Sequence, residues 1–239
     1  MSGHSKWSKV KHKKSIEDAK RAKVFSKLSK MISLAAKERG GDPEINSDLK
    51  IAIERAKSFN MPQDNIEKAI KKGTGEIGDI KLESLLLEAF GPGGVSILIK
   101  VVTDNKNRSL SEIRKIIESF GGKMASGSVL WQFEKKGIIF LRPRENKKDD
   151  LELLAIEAGV QDIKEKDDHL EIIISPEKLE QIKQLISKEA DIEESNIDLV
   201  PKDEIEIKDT ALKEKIKKLF DALDENDDVQ EIYSNLAFS

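Results

Sequence analysis

The chain has 239 residues, of which 38% are hydrophobic and 36% are charged, a composition typical of a globular protein with ample core-forming residues. It contains no cysteine and only three histidines, which excludes disulfides, thiolate metal centres and cysteine nucleophiles. The longest apolar run, residues 95–102, is interrupted by Lys100, so we expect no membrane span. The basic amino-terminal segment lacks the apolar stretch of a secretory signal, and we therefore expect a cytoplasmic protein.

Charge is distributed unevenly along the chain. Residues 1–75 have a net charge of +9 and residues 76–239 a net charge of −12, which together give the overall value of −3. The first 30 residues alone hold ten Lys or Arg against Glu17 and Asp18. A basic segment on an acidic body favours a polyanionic partner, and nucleic acid is the commonest one. The alternative is a solvated basic helix.

The first 14 residues show no periodicity, and we predict a flexible basic arm that orders on binding. A long helix is predicted over residues 15–39, with an apolar face for a core. The opposite face bears a row of lysines, Lys20, Lys23, Lys27 and Lys30, at spacings of three and four residues. Like charges at this spacing repel each other, so local stability does not explain the row.

We therefore assign nucleic-acid binding to the arm and to this helix. Phosphate contacts are expected from Lys6, Lys9, Lys11, Lys13, Lys14, Lys20, Arg21, Lys23 and Lys27. Trp7 and His12 are expected to stack on bases or to form hydrogen bonds. Two further helices, over residues 47–59 and 62–73, complete a predicted helical domain of residues 15–75.

From residue 82 the apolar periodicity changes to that of strands. Strands are predicted over residues 85–90 and 95–103, joined by a turn at residues 91–94. A helix over 108–120 and a strand over 128–133 follow.

Residues 136–204 then show their own order of elements. Strands are predicted over 137–141, 160–164, 170–175 and 197–200, and helices over 148–158 and 176–188. This βαββαβ order is typical of a ferredoxin-like sandwich.

A helix over 211–223 and a strand over 229–235 remain. They supply the last helix and strand that residues 76–135 lack for a second sandwich. The predicted fold is therefore α+β. A three-helix domain is followed by two ferredoxin-like α/β sandwich domains. The first sandwich domain is formed by residues 76–135 together with 205–239. The second, residues 136–204, is inserted in the first.

A polar segment after the second strand has two interpretations. Asp104, Asn105, Asn107 and Arg108 fit a turn with a helix cap, or a second polar surface for a phosphate or a ribosomal backbone. We favour the cap.

Acidic pairs such as Asp149-Asp150, Glu193-Glu194 and Asp227-Asp228 are interpreted as solvated surface. The glycine pattern of residues 73–78 follows a helix rather than a strand, which argues against a dinucleotide site. The sequence thus predicts no catalytic residue, no metal and no cofactor.

Several motifs resemble the YebC family. They are Gly3-His4-Ser5-Lys6-Trp7, Asp18-Ala19-Lys20-Arg21, Gly40-Gly41-Asp42-Pro43, Asn60-Met61-Pro62, Gly73-Thr74-Gly75, Gly91-Pro92-Gly93-Gly94-Val95, Thr103-Asp104-Asn105 and Gly127-Ser128-Val129. The resemblance implies a helical domain with two ferredoxin-like domains. It also implies either a DNA-binding transcriptional regulator, as bacterial members are described, or a ribosome-associated translation factor that relieves stalling. Mitochondrial members of the family activate the synthesis of cytochrome c oxidase at translation.

The function expected from the sequence is therefore a non-enzymatic regulator of gene expression that binds DNA, ribosomal RNA or the ribosome itself. The alternative is a protein-interaction adaptor whose acidic domains bind a basic partner. Neither the target nor the oligomeric state follows from the sequence.

Overall fold

The computed structural model describes residues 18–78, 81–144, 147–166 and 168–237; the side chains of residues 18–20 and Lys166 also lie outside the description. Its helices are α1 (Asp18–Arg39), α2 (Ser47–Ser58), α3 (Gln63–Gly73), α4 (Lys106–Ser119), α5 (Lys148–Glu157), α6 (Leu179–Ile186) and α7 (Thr210–Asp224). Its strands are β1 (Glu83–Phe90), β2 (Ser96–Thr103), β3 (Lys123–Ala125), β4 (Phe133–Pro143), β5 (Asp162–Lys166), β6 (His169–Ile174), β7 (Ala190–Pro201) and β8 (Val229–Ser234).

Helices α1, α2 and α3 enclose a core of their own. Its fully buried members include Ile32, Leu49 and Ile66, spaced so that each helix turns one apolar face inward. Asn46 fixes the turn between α1 and α2. Its side chain accepts a hydrogen bond from the Leu49 amide (3.0 Å) and donates to the carbonyl oxygen of Ala35 (2.9 Å).

The first sheet has the strand order β3-β1-β2-β8, and all its neighbours are antiparallel. The hairpin β1–β2 therefore lies at its centre, and β8, from far along the chain, pairs with β2. Helices α4 and α7 cover one face through residues such as Ile113, Ile117 and Phe220. The second sheet has the order β5-β6-β4-β7, also antiparallel, and α5 and α6 cover it through Leu151 and Ile182.

The α+β class predicted from the sequence is confirmed: a helical region precedes two four-stranded antiparallel sheets with helices packed on them. The turn between β1 and β2 requires glycine at Gly93, where φ is 71° and a Cβ atom would lie 2.9 Å from Leu212 Cδ2 of α7. Within the described residues, none of the helices combines the length and the apolarity needed to span a bilayer.

One strand prediction is wrong, and another gives a strand that is too short. The strand predicted over residues 128–133 is absent up to residue 132: β3 lies earlier, at Lys123–Ala125, Leu130–Gln132 forms a 3₁₀ turn, and Phe133 is the first residue of β4. The strand predicted over 197–200 begins seven residues sooner, so that Glu193 and Glu194 lie in β7 and not in a polar loop. β7 is an edge strand, where charged side chains are tolerated and protect the edge, and its acidic residues conceal the strand in the sequence.

Candidate nucleic-acid interface

The arm that the sequence assigns to nucleic acid lies outside the described residues. This concerns Lys6, Trp7, Lys9, Lys11, His12, Lys13 and Lys14, and the side chain of Lys20 as well. Arg21 lies on α1 with an exposed side chain. The assignment of these residues stays a prediction.

Three lysines of the row on α1 contact an acidic turn between α7 and β8. Lys23 Nζ lies 2.9 Å from Glu225 Oε2, and Lys27 Nζ lies 3.1 Å from Asp224 Oδ1. Lys30 Nζ lies 2.6 Å from Asp228 Oδ1. We call this set of contacts the ionic seam: Lys23, Lys27 and Lys30 on α1, and Asp224, Glu225, Asp227 and Asp228 in the turn.

Backbone oxygens strengthen the ionic seam. Lys27 Nζ donates to the carbonyl oxygen of Asp224 (2.7 Å), Lys30 Nζ donates to that of Asp227 (3.0 Å), and Lys23 donates to that of Glu225. Because Asp224 is the last residue of α7, the ammonium groups also lie at the negative end of the helix dipole. Lys23, Lys27 and Lys30 of the predicted row are therefore matched inside the molecule by carboxylates and backbone carbonyls.

Lys27 is the most enclosed lysine of the ionic seam, with 14% of its side chain exposed. Burial lowers the pKa of its ammonium group, and the nearby charge of Asp224 only partly offsets this effect. The charged form is thus less favourable in the seam than in water.

Asp228 connects the ionic seam to the first sheet. Besides Lys30, it accepts hydrogen bonds from Ser109 Oγ (2.6 Å) and Arg108 Nη2 (2.9 Å). Burial alone would raise the pKa of this carboxyl, but the hydrogen bonds from Lys30, Ser109 and Arg108 outweigh it and lower the pKa to about 2. The interpretation of Asp227-Asp228 as solvated surface is therefore wrong for Asp228, which is 4% exposed.

A second polar junction lies where α2 meets the other face of the first sheet. Glu231 Oε1 lies 2.8 Å from Arg55 Nη1, while its Oε2 lies 3.2 Å from Lys100 Nζ and accepts a hydrogen bond from Tyr233 Oη (2.6 Å). Burial would raise the pKa of Glu231, yet the two cations and the tyrosine hold it far below its usual range. No local sequence pattern indicates this junction, because its members are dispersed along the chain.

The polar segment after β2 forms a helix cap. The Asn105 side chain accepts a hydrogen bond from the Arg108 amide (3.1 Å), and Arg108 Nη2 lies 2.8 Å from Asp104 Oδ1. Asn107 lies on α4 with its side chain exposed. The role proposed for these four residues as a second polar contact surface stays a prediction.

A further exposed group was missed by the sequence analysis. The Glu88 carboxylate on β1 accepts four backbone N–H bonds from residues 127–130, the shortest from Val129 (2.6 Å). This fixes a loop whose tip displays Trp131, 66% exposed, and Leu130, 46% exposed. The signal available in the sequence was Gly127, which adopts a φ of 66°.

In the part of the chain that the structure covers, no three His, Cys, Asp or Glu side chains are placed to hold a metal ion.

Comparison with known proteins gives consistent matches over the whole chain. Residues 5–76 match the model described as "TACO1/YebC protein N-terminal domain", and residues 82–236 match "TACO1/YebC second and third domain". A "Probable transcriptional regulatory protein" of Halothermothrix orenii is 46% identical over 98% of this chain and 94% of its own. A protein of the same name from Petrotoga mobilis is 48% identical over 98% and 94%.

A solved structure also matches. The crystal structure of a conserved hypothetical protein from Aquifex aeolicus superposes with a TM-score of 0.83 at 39% identity, covering 93% of this chain and 92% of that one. The likeness thus extends across the helical region and both sheets.

Proposed function

The chain belongs to the TACO1/YebC family, and on that basis we propose that it is a non-enzymatic regulator of gene expression that binds nucleic acid. The names of its bacterial relatives support a regulatory role. A nucleic-acid partner of this kind implies that the protein acts in the cytoplasm.

The observation that supports nucleic-acid binding best is the segregation of charge. The amino-terminal 75 residues have a net charge of +9, and ten cationic side chains fall within the first 30 residues. Cations clustered in this way release condensed counterions when they neutralise phosphates, which is the main source of affinity for a polyanion. The acidic remainder, with a net charge of −12, limits indiscriminate coating of nucleic acid.

The chemistry of these cations favours structured RNA, such as that of the ribosome, over promoter DNA. Nine of the ten are lysines, which contact phosphates well but do not form the bidentate contacts with which arginine recognises guanine. DNA bound with modest specificity is the competing target within the same function.

The test is a salt titration of binding to labelled duplex DNA and to structured RNA. With six to eight phosphate contacts on duplex DNA, log K against log salt should have a slope of roughly −5 to −7. Reversing Lys9, Lys11, Lys13 and Lys14 to Glu should reduce the slope by about 4 and weaken binding at least about a hundredfold. The matched control reverses Lys115, Lys178, Lys188 and Lys202, which changes the net charge equally on the acidic domains. A slope near zero, or equal losses in both variants, would contradict the proposal.

The nature of the target is decided by sedimentation with ribosomes. We expect the full chain to co-migrate with 70S particles and a chain lacking residues 1–14 to remain near the top of the gradient. Binding to promoter DNA with no co-migration would assign the protein to transcription.

The second candidate function is a protein-interaction adaptor, which the charge of −12 on residues 76–239 favours. Such an adaptor would retain a basic protein partner after nuclease treatment and lose it at high salt. Loss of every partner on nuclease treatment would exclude it.

A further inference from the structure

The ionic seam brings the predicted phosphate ligands of α1 into contact with an internal set of anions. Asp224, Glu225, Asp227 and Asp228 are contiguous apart from Asn226, and together they face three consecutive members of the lysine row. A phosphate backbone and this turn would contact the same ammonium groups. They therefore compete for α1, provided that the function proposed above holds.

Charged and polar side chains form much of the contact between the helical region and the first sheet. The apolar cluster of α1, α2 and α3 includes no residue from either sheet, and the cluster under α4 and α7 includes none from the three helices. The polar contacts between them include the ionic seam, the pair Arg55–Glu231 and the hydrogen bond from Lys37 Nζ to the carbonyl oxygen of Leu82 (3.0 Å). A competing polyanion or salt weakens ionic contacts of this kind.

Two features favour release over permanent docking. Lys23 and Lys30 keep about a quarter of their side chains exposed, at 26% and 23%, so that an incoming anion has access to the seam. The connection that follows α3 contains Gly75 and Gly78, both with positive φ and with open space around the Cα atom. Glycine at these positions tolerates the backbone rotation that separation of the two parts requires.

We propose that the acidic turn Asp224–Asp228 is an autoinhibitory phosphate mimic: it occupies Lys23, Lys27 and Lys30 until nucleic acid displaces it and the helical region moves away from the first sheet. The apparent affinity for nucleic acid is then reduced by the fraction of molecules in which the seam is closed.

The experiment neutralises three of the four acids of the seam and leaves Asp228, which also binds Ser109 and Arg108, unchanged. The seam variant is Asp224→Asn, Glu225→Gln and Asp227→Asn. The control variant is Asp149→Asn, Glu157→Gln and Glu177→Gln. These exposed acids lie in or next to the helices that cover the second sheet, and their replacement changes the net charge by the same amount. The probe is a labelled fragment of structured ribosomal RNA, titrated at constant salt.

Two further measurements make the test independent of this variant. The chain has no cysteine, so a donor and an acceptor dye can be attached at two introduced cysteines, Lys68→Cys on α3 and Lys115→Cys on α4. Energy transfer between the dyes then reports the separation of the helical region from the first sheet. In a second pair, Lys23→Cys and Glu225→Cys are joined by a short bis-maleimide, and the same protein capped with N-ethylmaleimide is the control.

We expect the seam variant to bind RNA about three- to thirtyfold more tightly than the control variant, the range that corresponds to losing three partly exposed ion pairs. RNA should lower energy transfer in the parent, and the linked protein should bind at least about tenfold more weakly than the capped one. Equal affinities of the two variants, or RNA binding without a change in energy transfer, would overturn the proposal while nucleic-acid binding stands. If neither the parent nor any variant binds, the proposed function itself fails, and the autoinhibitory role fails with it.

Discussion

Asp228 accepts hydrogen bonds from side chains of three other elements: Lys30 of α1, Thr103 of β2, and Arg108 and Ser109 of α4. Its lowered pKa means that the folded state favours the ionised form. This stabilisation is complete above the ordinary carboxyl value of 3.8 and is lost as the pH falls towards about 2.

Replacing Asp228 with Asn should lower the free energy of unfolding by about 2 kcal/mol at neutral pH, because a pKa shift of this size corresponds to about 1.4 kcal/mol per unit. Urea unfolding followed by circular dichroism measures the loss at pH 7. The difference from the parent should shrink between pH 4 and pH 2. Asp227→Asn is the control, since Asp227 is 69% exposed and lies 3.8 Å from Lys23. Equal losses in the two variants would show that Asp228 has no special role.

At this scale the sequence predicted which residues are charged but not which are buried. Asp227 and Asp228 are indistinguishable in the chain, yet one is exposed and the other nearly inaccessible. The difference arises from partners more than a hundred residues away, Arg108 and Lys30, and no local pattern contains that information.

At the scale of elements, the helices were predicted well because caps and apolar periodicity are local. The strand predicted over residues 128–133 failed for a physical reason. The amides of residues 127–130 are bound to the Glu88 carboxylate, so they cannot join a ladder of backbone hydrogen bonds. Apolar residues such as Val129 gave the segment a strand-like pattern, although Val129 joins no strand and is buried in a cluster with Leu98, Phe133 and Tyr233.

Replacing Glu88 with Gln should loosen this loop, because the neutral amide accepts weaker hydrogen bonds and its NH₂ group opposes the backbone donors. We expect a loss of about 1 kcal/mol. Amide hydrogen exchange at residues 127–130 should accelerate, and the fluorescence anisotropy of Trp131 should fall in a Trp7→Phe background. Glu83→Gln, at the exposed start of the same strand, is the control.

The same loop should respond to pH in the parent. Burial would raise the pKa of Glu88, but the four backbone N–H groups outweigh this and lower it. The loop should therefore remain ordered as the pH falls to the usual glutamate value of 4.5 and loosen only below it. Loosening that begins above this value would contradict the assignment.

At the scale of the whole molecule, charge segregation was visible in the sequence, and its structural consequence was not. The lysine row was predicted to contact phosphates, which stays a prediction, and three of its members contact carboxylates of the same chain. One anionic partner, Asp224, lies in the same chain, 197 positions after Lys27. Its contact with Lys27 depends on how α7 and β8 return to the first sheet. The arm residues of the candidate interface stay a prediction from the sequence.

Because no described apolar cluster spans the helical region and the sheets, salt should uncouple their unfolding. Calorimetry at about 50 mM salt should give closely overlapping transitions, and about 1 M salt, where the screening length is about 3 Å, should separate them. Arg55→Met, which removes one cation from buried Glu231, should separate them even at low salt. Transitions whose spacing is independent of salt in both proteins would contradict the ionic docking.

The pairing of β8 with β2 also sets an order of events during biosynthesis. A nascent chain exposes α1 long before the turn after α7 has been made, because 197 residues separate Lys27 from Asp224. The central hairpin β1–β2 forms early, but its sheet stays open on one edge until β8 has emerged. Every newly made molecule therefore passes through a stage in which its lysines are uncovered, and closure of the sheet and covering of the lysines are completed together.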